Sequence, residues 1–252
     1  MFPTLVFCSI GLLAVAGCMQ ARQHSLRIAT AANAQYAMTD LVEAFTAQSG
    51  IEAEVVISSS GKLSAQIAQG APYDVFVSAD MEYPMSLYNN GYATEEPRLY
   101  AYGEIVIWSA GNIEPTFEAM LLNEVDHVAI PNPKTAPYGL TALTALKSVG
   151  ILEAINDKLV FGENVGQVNQ FIFSGAAEIG ITAKSMVMSA KLKEKGKWTQ
   201  ISEDLYTPIS QGLIIIKRDA GFKEDAMEFY DFILSAKARK ILSNNGYKLP
   251  IS

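Results

Sequence analysis

Apolar and polar positions along the chain alternate between two periods. Residues 25–30, Ser-Leu-Arg-Ile-Ala-Thr, read as a short strand, and Met38, Leu41, Val42 and Phe45 then recur at the spacing of one helical face. Gly50 stands where that helix should stop. A β-rich run over 51–57 comes next, then a short helix with Leu63 and Ile67 on its inner side and Gly70 closing it. Residues 73–80, Tyr-Asp-Val-Phe-Val-Ser-Ala-Asp, are a buried strand that ends in polar residues. Strand, helix, strand, helix, strand predicts a parallel sheet with helices on its faces.

The same rhythm resumes downstream. Strands are predicted over 104–110 and 127–133, the second ending on two prolines, followed by a helix over 139–150. Strand 158–165, helix 167–175 and strand 177–182 follow, then a continuous apolar strand over 211–219. The end of the chain, 224–247, reads as one helix with Ala226, Phe229, Phe232 and Ile233 on its inner face and Ile241 and Leu242 continuing it. No repeat, low-complexity tract or flexible linker separates the two units. Two lobes would therefore be joined by strands crossing between them, with candidates near 104–108 and 207–215. The expected division is a first lobe of 26–104 plus 212–252 and a second lobe of 105–211.

The first residues follow a different pattern. The apolar run from Leu5 to Gly17 is too short to span a membrane as an ordinary helix and resembles the core of a secretory signal. It ends in Val15-Ala16-Gly17-Cys18, which resembles a bacterial lipoprotein signal, although no Lys or Arg precedes the run. The expectation is a signal peptide over 1–17, lipid on Cys18 and a tail over 18–25; the alternative is a plain secretory signal with an unrelated cysteine. The only other cysteine is Cys8, so an exported mature domain would hold no disulfide and no thiolate metal site. Such a domain would sit in the periplasm or at the cell surface, held to a membrane by lipid alone.

Half of the residues are hydrophobic and 18% are charged, the balance of a globular domain with a substantial core. The formal net charge of −7 argues against nucleic acid as a partner, since that needs a basic face.

Four strand-to-helix junctions carry the candidate chemistry: Thr30-Ala31-Ala32-Asn33, Ser58-Ser59-Ser60-Gly61, Ala136-Pro137-Tyr138-Gly139 and Glu163-Asn164-Val165-Gly166. Most of these residues are small or hydroxylic. A helix start exposes unpaired N–H groups with partial positive charge, and small residues let an anion reach them. Each residue also has a plain reading: Asn33 and Ser60 as helix caps, Tyr138 as part of a turn, Val165 as packing. What favours a site is the repetition of such loops beyond the carboxyl ends of parallel strands. Three of the four loops lack Asp and Glu, and the fourth holds Glu163, expected to point away. Lys62 is expected to be a solvated helix residue. Loops that offer mainly donors suit a fully ionised tetrahedral dianion better than hydrogen phosphate, whose proton needs an acceptor.

These stretches resemble a known family. "ATAANAQYAMTDLVEAF", "SSSGKLSAQIAQGAPYDVFVSAD", "PNPKTAPYGLTALTAL" and "GENVGQVNQFIFSGAAEIGIT" are similar to the periplasmic molybdate-binding receptors of ABC transporters, over about residues 25–252. The resemblance implies an α/β, two-lobed periplasmic-binding-protein fold, each lobe a mostly parallel sheet flanked by helices, joined by two crossing strands. It implies a monomer without cofactor that captures molybdate or tungstate between its lobes and delivers it to a membrane permease. The residues implied to hold the anion are Asn33 with Ala32, Ser60 with Ser59, Tyr138 and Val165, with no direct protein–metal bond. One position departs: where some members place a binding tyrosine after the "GI" strand, this chain has Ala183.

Other readings are a sulfate receptor of the same fold or, more remotely, a serine acyl-transfer enzyme using Ser59-x-x-Lys62. The partner motifs for that enzyme are incomplete, because Lys134-Thr135-Ala136 lacks its glycine and no Ser-Asp-Asn occurs. His24 and His127 supply neither a triad nor a metal set.

Overall fold

The computed structural model describes residues 25–218 and 223–251. The expected signal, the expected lipidation site at Cys18, His24 and all but the last residue of the expected tail lie outside the described residues.

The first unit runs β1 (Leu26–Ala31), α1 (Gln35–Ser49), β2 (Ala53–Ser58), α2 (Ser60–Ala68), β3 (Val75–Val77), α3 (Glu82–Asn89) and β4 (Arg98–Gly103). The second runs β5 (Ile105–Ser109), β6 (Val128–Pro131), α4 (Pro137–Val149), β7 (Leu159–Gly162), α5 (Val165–Ser174), β8 (Ile179–Ala183), α6 (Lys184–Val187) and β9 (Lys197–Gln200). The chain then returns through β10 (Ile209–Ile215) to α7 (Lys223–Ile233) and α8 (Ala236–Asn244).

Two five-stranded sheets result, ordered β2-β1-β3-β10-β4 and β7-β6-β8-β5-β9. Within the first, β1 runs parallel to β2 and β3, while β10 is antiparallel to both of its neighbours. The second repeats the scheme: β6 is parallel to β7 and β8, and β5 is antiparallel to β8 and β9. The chain crosses between sheets at Glu104, between β4 and β5, and again between β9 and β10. The returning strand joins the first sheet at Ile209, opposite Gly103, three residues earlier than the expected boundary at 212.

Both faces of each sheet are covered, as buried strands between helices require. In the first sheet, Ile28, Val75 and Val77 pack with Met38, Leu41 and Phe45 of α1 and Phe229 and Ile233 of α7. Its opposite face sets Phe76 and Ile214 against Leu63 and Ile67 of α2. In the second sheet, Ile107, Val128, Ile130 and Ile181 meet Ala142 and Leu146 of α4, while Trp108 and Ala129 meet Val168 and Ile172 of α5. Gly50 closes α1 at φ 73°, a left-handed conformation that glycine adopts without steric cost.

The predicted C-terminal helix is in fact two. The first ends at Ile233, and Ser235 starts the second by accepting the N–H of Ala238 at 3.2 Å. An N-cap serine inside an apparently continuous helical pattern breaks it here. The inward residues are as expected, with Ala226, Phe229, Phe232, Ile233 and Leu242 buried.

Candidate functional site

The short 3-10 turn Ala32–Ala34 that leads into α1 and the starts of α2, α4 and α5 converge between the two sheets. They surround a narrow cleft that is partly open to solvent. Ala32, Asn33, Ser59, Ser60, Tyr138 and Val165 all line it, together with Ala31, Ala79, Ala136, Pro137 and Asn164. The sequence-predicted residues are thus brought together from both lobes, and no carboxylate lines the cleft.

The helix starts facing this space are short of caps. Ser59 holds the cap position of α2 but accepts nothing from the helix, and Ala136 and Ala34 cap α4 and α1 without a side-chain bond. Only α5 is capped: Asn164 accepts the N–H groups of Gly166 and Gln167, leaving that of Val165. Ser60, Tyr138 and Val165 lie in first turns, where no acceptor within the helix exists. Ser59 Oγ is buried without a partner. Ser60 Oγ accepts the N–H of Ala79 at 2.9 Å, so its own proton remains to be donated.

Behind the cleft lies a buried polar hub that the sequence reading did not find. Gln211, on β10 and fully buried, donates from Nε2 to the Tyr138 hydroxyl at 3.0 Å. Its Oε1 accepts from Asn33 Nδ2 at 2.9 Å and from the Tyr100 hydroxyl at 2.6 Å. Asn33 Nδ2 also donates to the Tyr247 hydroxyl at 3.0 Å, and Ser185 Oγ donates to the Asn33 carbonyl at 2.8 Å. The Asn33 amide is therefore turned toward the hub, and the Tyr138 hydroxyl points at the crossing strand. Both residues reach the cleft; Asn33 Nδ2 is engaged behind it while Asn33 Oδ1 is buried without a partner, and the Tyr138 hydroxyl accepts from Gln211 with its own proton left to donate. Burial pushes the Tyr100, Tyr138 and Tyr247 hydroxyls well above their ordinary range, so all three stay protonated. Gly103 makes the hub possible: a Cβ there would collide with the Tyr138 hydroxyl and the Gln211 amide.

Glu163 does not line the cleft, in line with its expected outward direction, and Lys62 is exposed on α2; the two meet each other at the mouth. Lys62 Nζ meets Glu163 Oε2 at 2.8 Å, and Ser58 Oγ donates to Glu163 Oε1 at 3.1 Å. The hydrogen bond from Lys62, with that from Ser58, holds the Glu163 carboxyl below its usual range. This pair joins α2 of one lobe to the β7–α5 loop of the other. Beside it the N–H of Gly61 donates to the Thr135 carbonyl at 2.9 Å. A Cβ at Gly61 would stand 2.9 Å from that same oxygen, so glycine lets the lobes approach. With Lys62 held by Glu163, the Ser59-x-x-Lys62 motif does not form a serine–lysine pair.

Asp80 braces the turn between β3 and α3. Its Oδ1 accepts from Ser78 Oγ at 3.0 Å and from the Tyr83 N–H at 3.2 Å, and burial pushes its carboxyl up to about 6.

Two lobes, two crossings and a donor-lined cleft between them define a protein that encloses a small solute. The sequence matches the family described as bacterial extracellular solute-binding protein over residues 26–248, and the chain belongs to that family. It is similar to the molybdate-binding protein ModA of Rhodobacter capsulatus, 35% identical over 223 residues that cover 87% of this chain and 86% of that one. The solved periplasmic molybdate-binding protein of Azotobacter vinelandii superposes with a TM-score of 0.85 at 34% identity, over 90% of this chain and all of that one. The sulfate-binding protein SubI of Mycobacterium tuberculosis shares the fold, with a TM-score of 0.76 at 13% identity, over 89% and 86% of the two chains.

Proposed function

We propose that this protein captures a fully ionised tetrahedral oxyanion, molybdate or tungstate, in the interlobe cleft and delivers it to the permease of an ABC transporter. The observation that carries this reading is the set of uncapped helix starts facing one cleft that no carboxylate lines. Backbone N–H groups of Ser60, Tyr138 and Val165, the hydroxyls of Ser59 and Ser60, and the thin turn at Ala32-Asn33 supply the donors. Donors fixed in advance and shielded from water hold an anion more strongly than the same groups in solvent. The named relatives support molybdate as the cargo.

On this reading the protein works as a monomer outside the cytoplasm. Signal cleavage before Cys18 and lipid on that residue keep it at the membrane where its permease lies. Among the described residues no helix is long and apolar enough to cross a membrane. The role is binding rather than catalysis.

Titration calorimetry with molybdate, tungstate, sulfate and phosphate tests the proposal. Tight binding of molybdate and tungstate with weak phosphate binding is the expected result. Tight phosphate binding without a molybdate response would overturn it.

A further inference from the structure

A second concavity lies on the flank of the interlobe contact, outside the oxyanion cleft. This groove holds about 890 Å³ of space, partly open to solvent. One wall is Gln35 and Tyr36, from the first turn of α1 in the first lobe. The other is Asn169 and Phe173 of α5, with Lys191 and Lys195 beyond α6, in the second lobe. Three features distinguish it. Lys191 and Lys195 are exposed and no carboxylate lines the groove, in a chain of net charge −7. Apolar rings face it from both lobes: Phe173 is 59% exposed, and Tyr36 carries Lys191 Nζ 5.8 Å from its ring centroid. Asn169 is 5% exposed, and neither Nδ2 nor Oδ1 has a partner. An unpaired buried amide costs free energy and is uncommon in a folded protein.

We propose that this groove is a second binding site, for an organic anion with a flat apolar body and one carboxylate or sulfonate. The lysines take the charge and Tyr36 and Phe173 flank the body, with the unpaired amide of Asn169 buried beneath the floor of the groove. Because the walls belong to different lobes, an occupant holds the lobes in the same closed relation that the oxyanion cleft requires. Val165 faces the cleft and the next residue, Gly166, lines the groove, so one turn of α5 serves both. Binding at the two sites is therefore coupled, and coupling of affinities is reciprocal. The coupling rests on the cleft reading; the groove itself does not.

The probe is 8-anilinonaphthalene-1-sulfonate, followed by fluorescence on the full mature protein. Saturable one-to-one binding is expected, weakened at least tenfold in Lys191→Ala/Lys195→Ala and severalfold in Phe173→Ala. Molybdate should tighten the probe by the same factor by which the probe tightens molybdate. The lysine variant should bind molybdate normally without probe. Non-saturable binding, or equal binding in the lysine variant, overturns the site. Independent affinities in the presence of both overturn the coupling. Failure of the cleft reading shows separately, as absence of molybdate heat without probe.

Discussion

On the proposed reading, Ser60 serves both the fold and the ligand with one side chain. Its oxygen is fixed by the Ala79 N–H, which leaves the hydroxyl proton free to turn into the cleft. Ser60→Ala should weaken oxyanion binding by about 1–3 kcal/mol, the usual cost of leaving a charged acceptor short of a donor. Calorimetry reads that loss, and an unchanged affinity would reduce Ser60 to a loop brace. Asp80 gives a test in pH. Its folded value of about 6 lies above the 3.8 of a free side chain, so the folded state holds its proton more tightly. The stabilising contribution is complete below pH 4 and is lost as pH rises through 6. Asp80→Asn should therefore be more stable than the parent at pH 7, by about 3 kcal/mol, with the difference becoming small near pH 4. Denaturant unfolding at the two pH values measures it. Equal differences at both would assign the effect to something other than ionisation.

At the scale of elements, the mouth of the cleft is fastened by one ion pair between α2 and the β7–α5 loop. Both partners are partly exposed, so the pair adds little to overall stability. Its effect belongs to the rate of opening. Glu163→Gln should raise the oxyanion dissociation rate severalfold and remove most of its dependence on salt, with little change in thermal stability. Stopped-flow displacement of bound molybdate measures the rate, and an unchanged rate would mean that the pair is incidental. The elements themselves were largely legible in sequence, because Met38, Leu41 and Phe45 or Leu63 and Ile67 mark their buried faces by local spacing alone. The strand β4 and helix α3 were not, since the stretch 81–103 mixes polar and aromatic residues without a sustained period. The cleft loops were legible because each joins a strand to a helix with little side-chain volume. The hub was not. Gln211 reads as one polar residue at the start of an apolar strand, and its partner Asn33 is 178 positions away. Only pairing of β10 between β3 and β4 brings them together. The meeting of Lys62 with Glu163 was hidden for the same reason.

For the whole molecule, the central fact is that both lobes contribute to one polar interior. Gln211 holds Asn33 of the first lobe and Tyr138 of the second with the two ends of one amide. The Ser185 hydroxyl on the Asn33 carbonyl adds a second tie. Oxyanion binding should therefore protect the whole junction rather than the loops alone. Hydrogen exchange should slow on saturation with molybdate at the starts of α2, α4 and α5 and also at Gly103–Ile105 and Ile209–Gln211. Protection confined to the loops would show that the crossings do not take part.

The placement of β10 also sets the order in which the lobes can be completed. The second sheet is built from the continuous stretch 105–200, so all of its strands exist once that stretch has been made. The first sheet lacks its inner strand until residues 209–215 arrive, because β10 lies between β3 and β4. Until then β3 and β4 have no bridge, and the face that α1 covers has neither Leu213 nor Phe229 to pack with. A chain growing from its N-terminus thus finishes its second lobe first. Its first lobe, begun earliest, has the longest-range contacts and closes last. The edges of β3 and β4 are the surfaces a chaperone would need to shield in the interval.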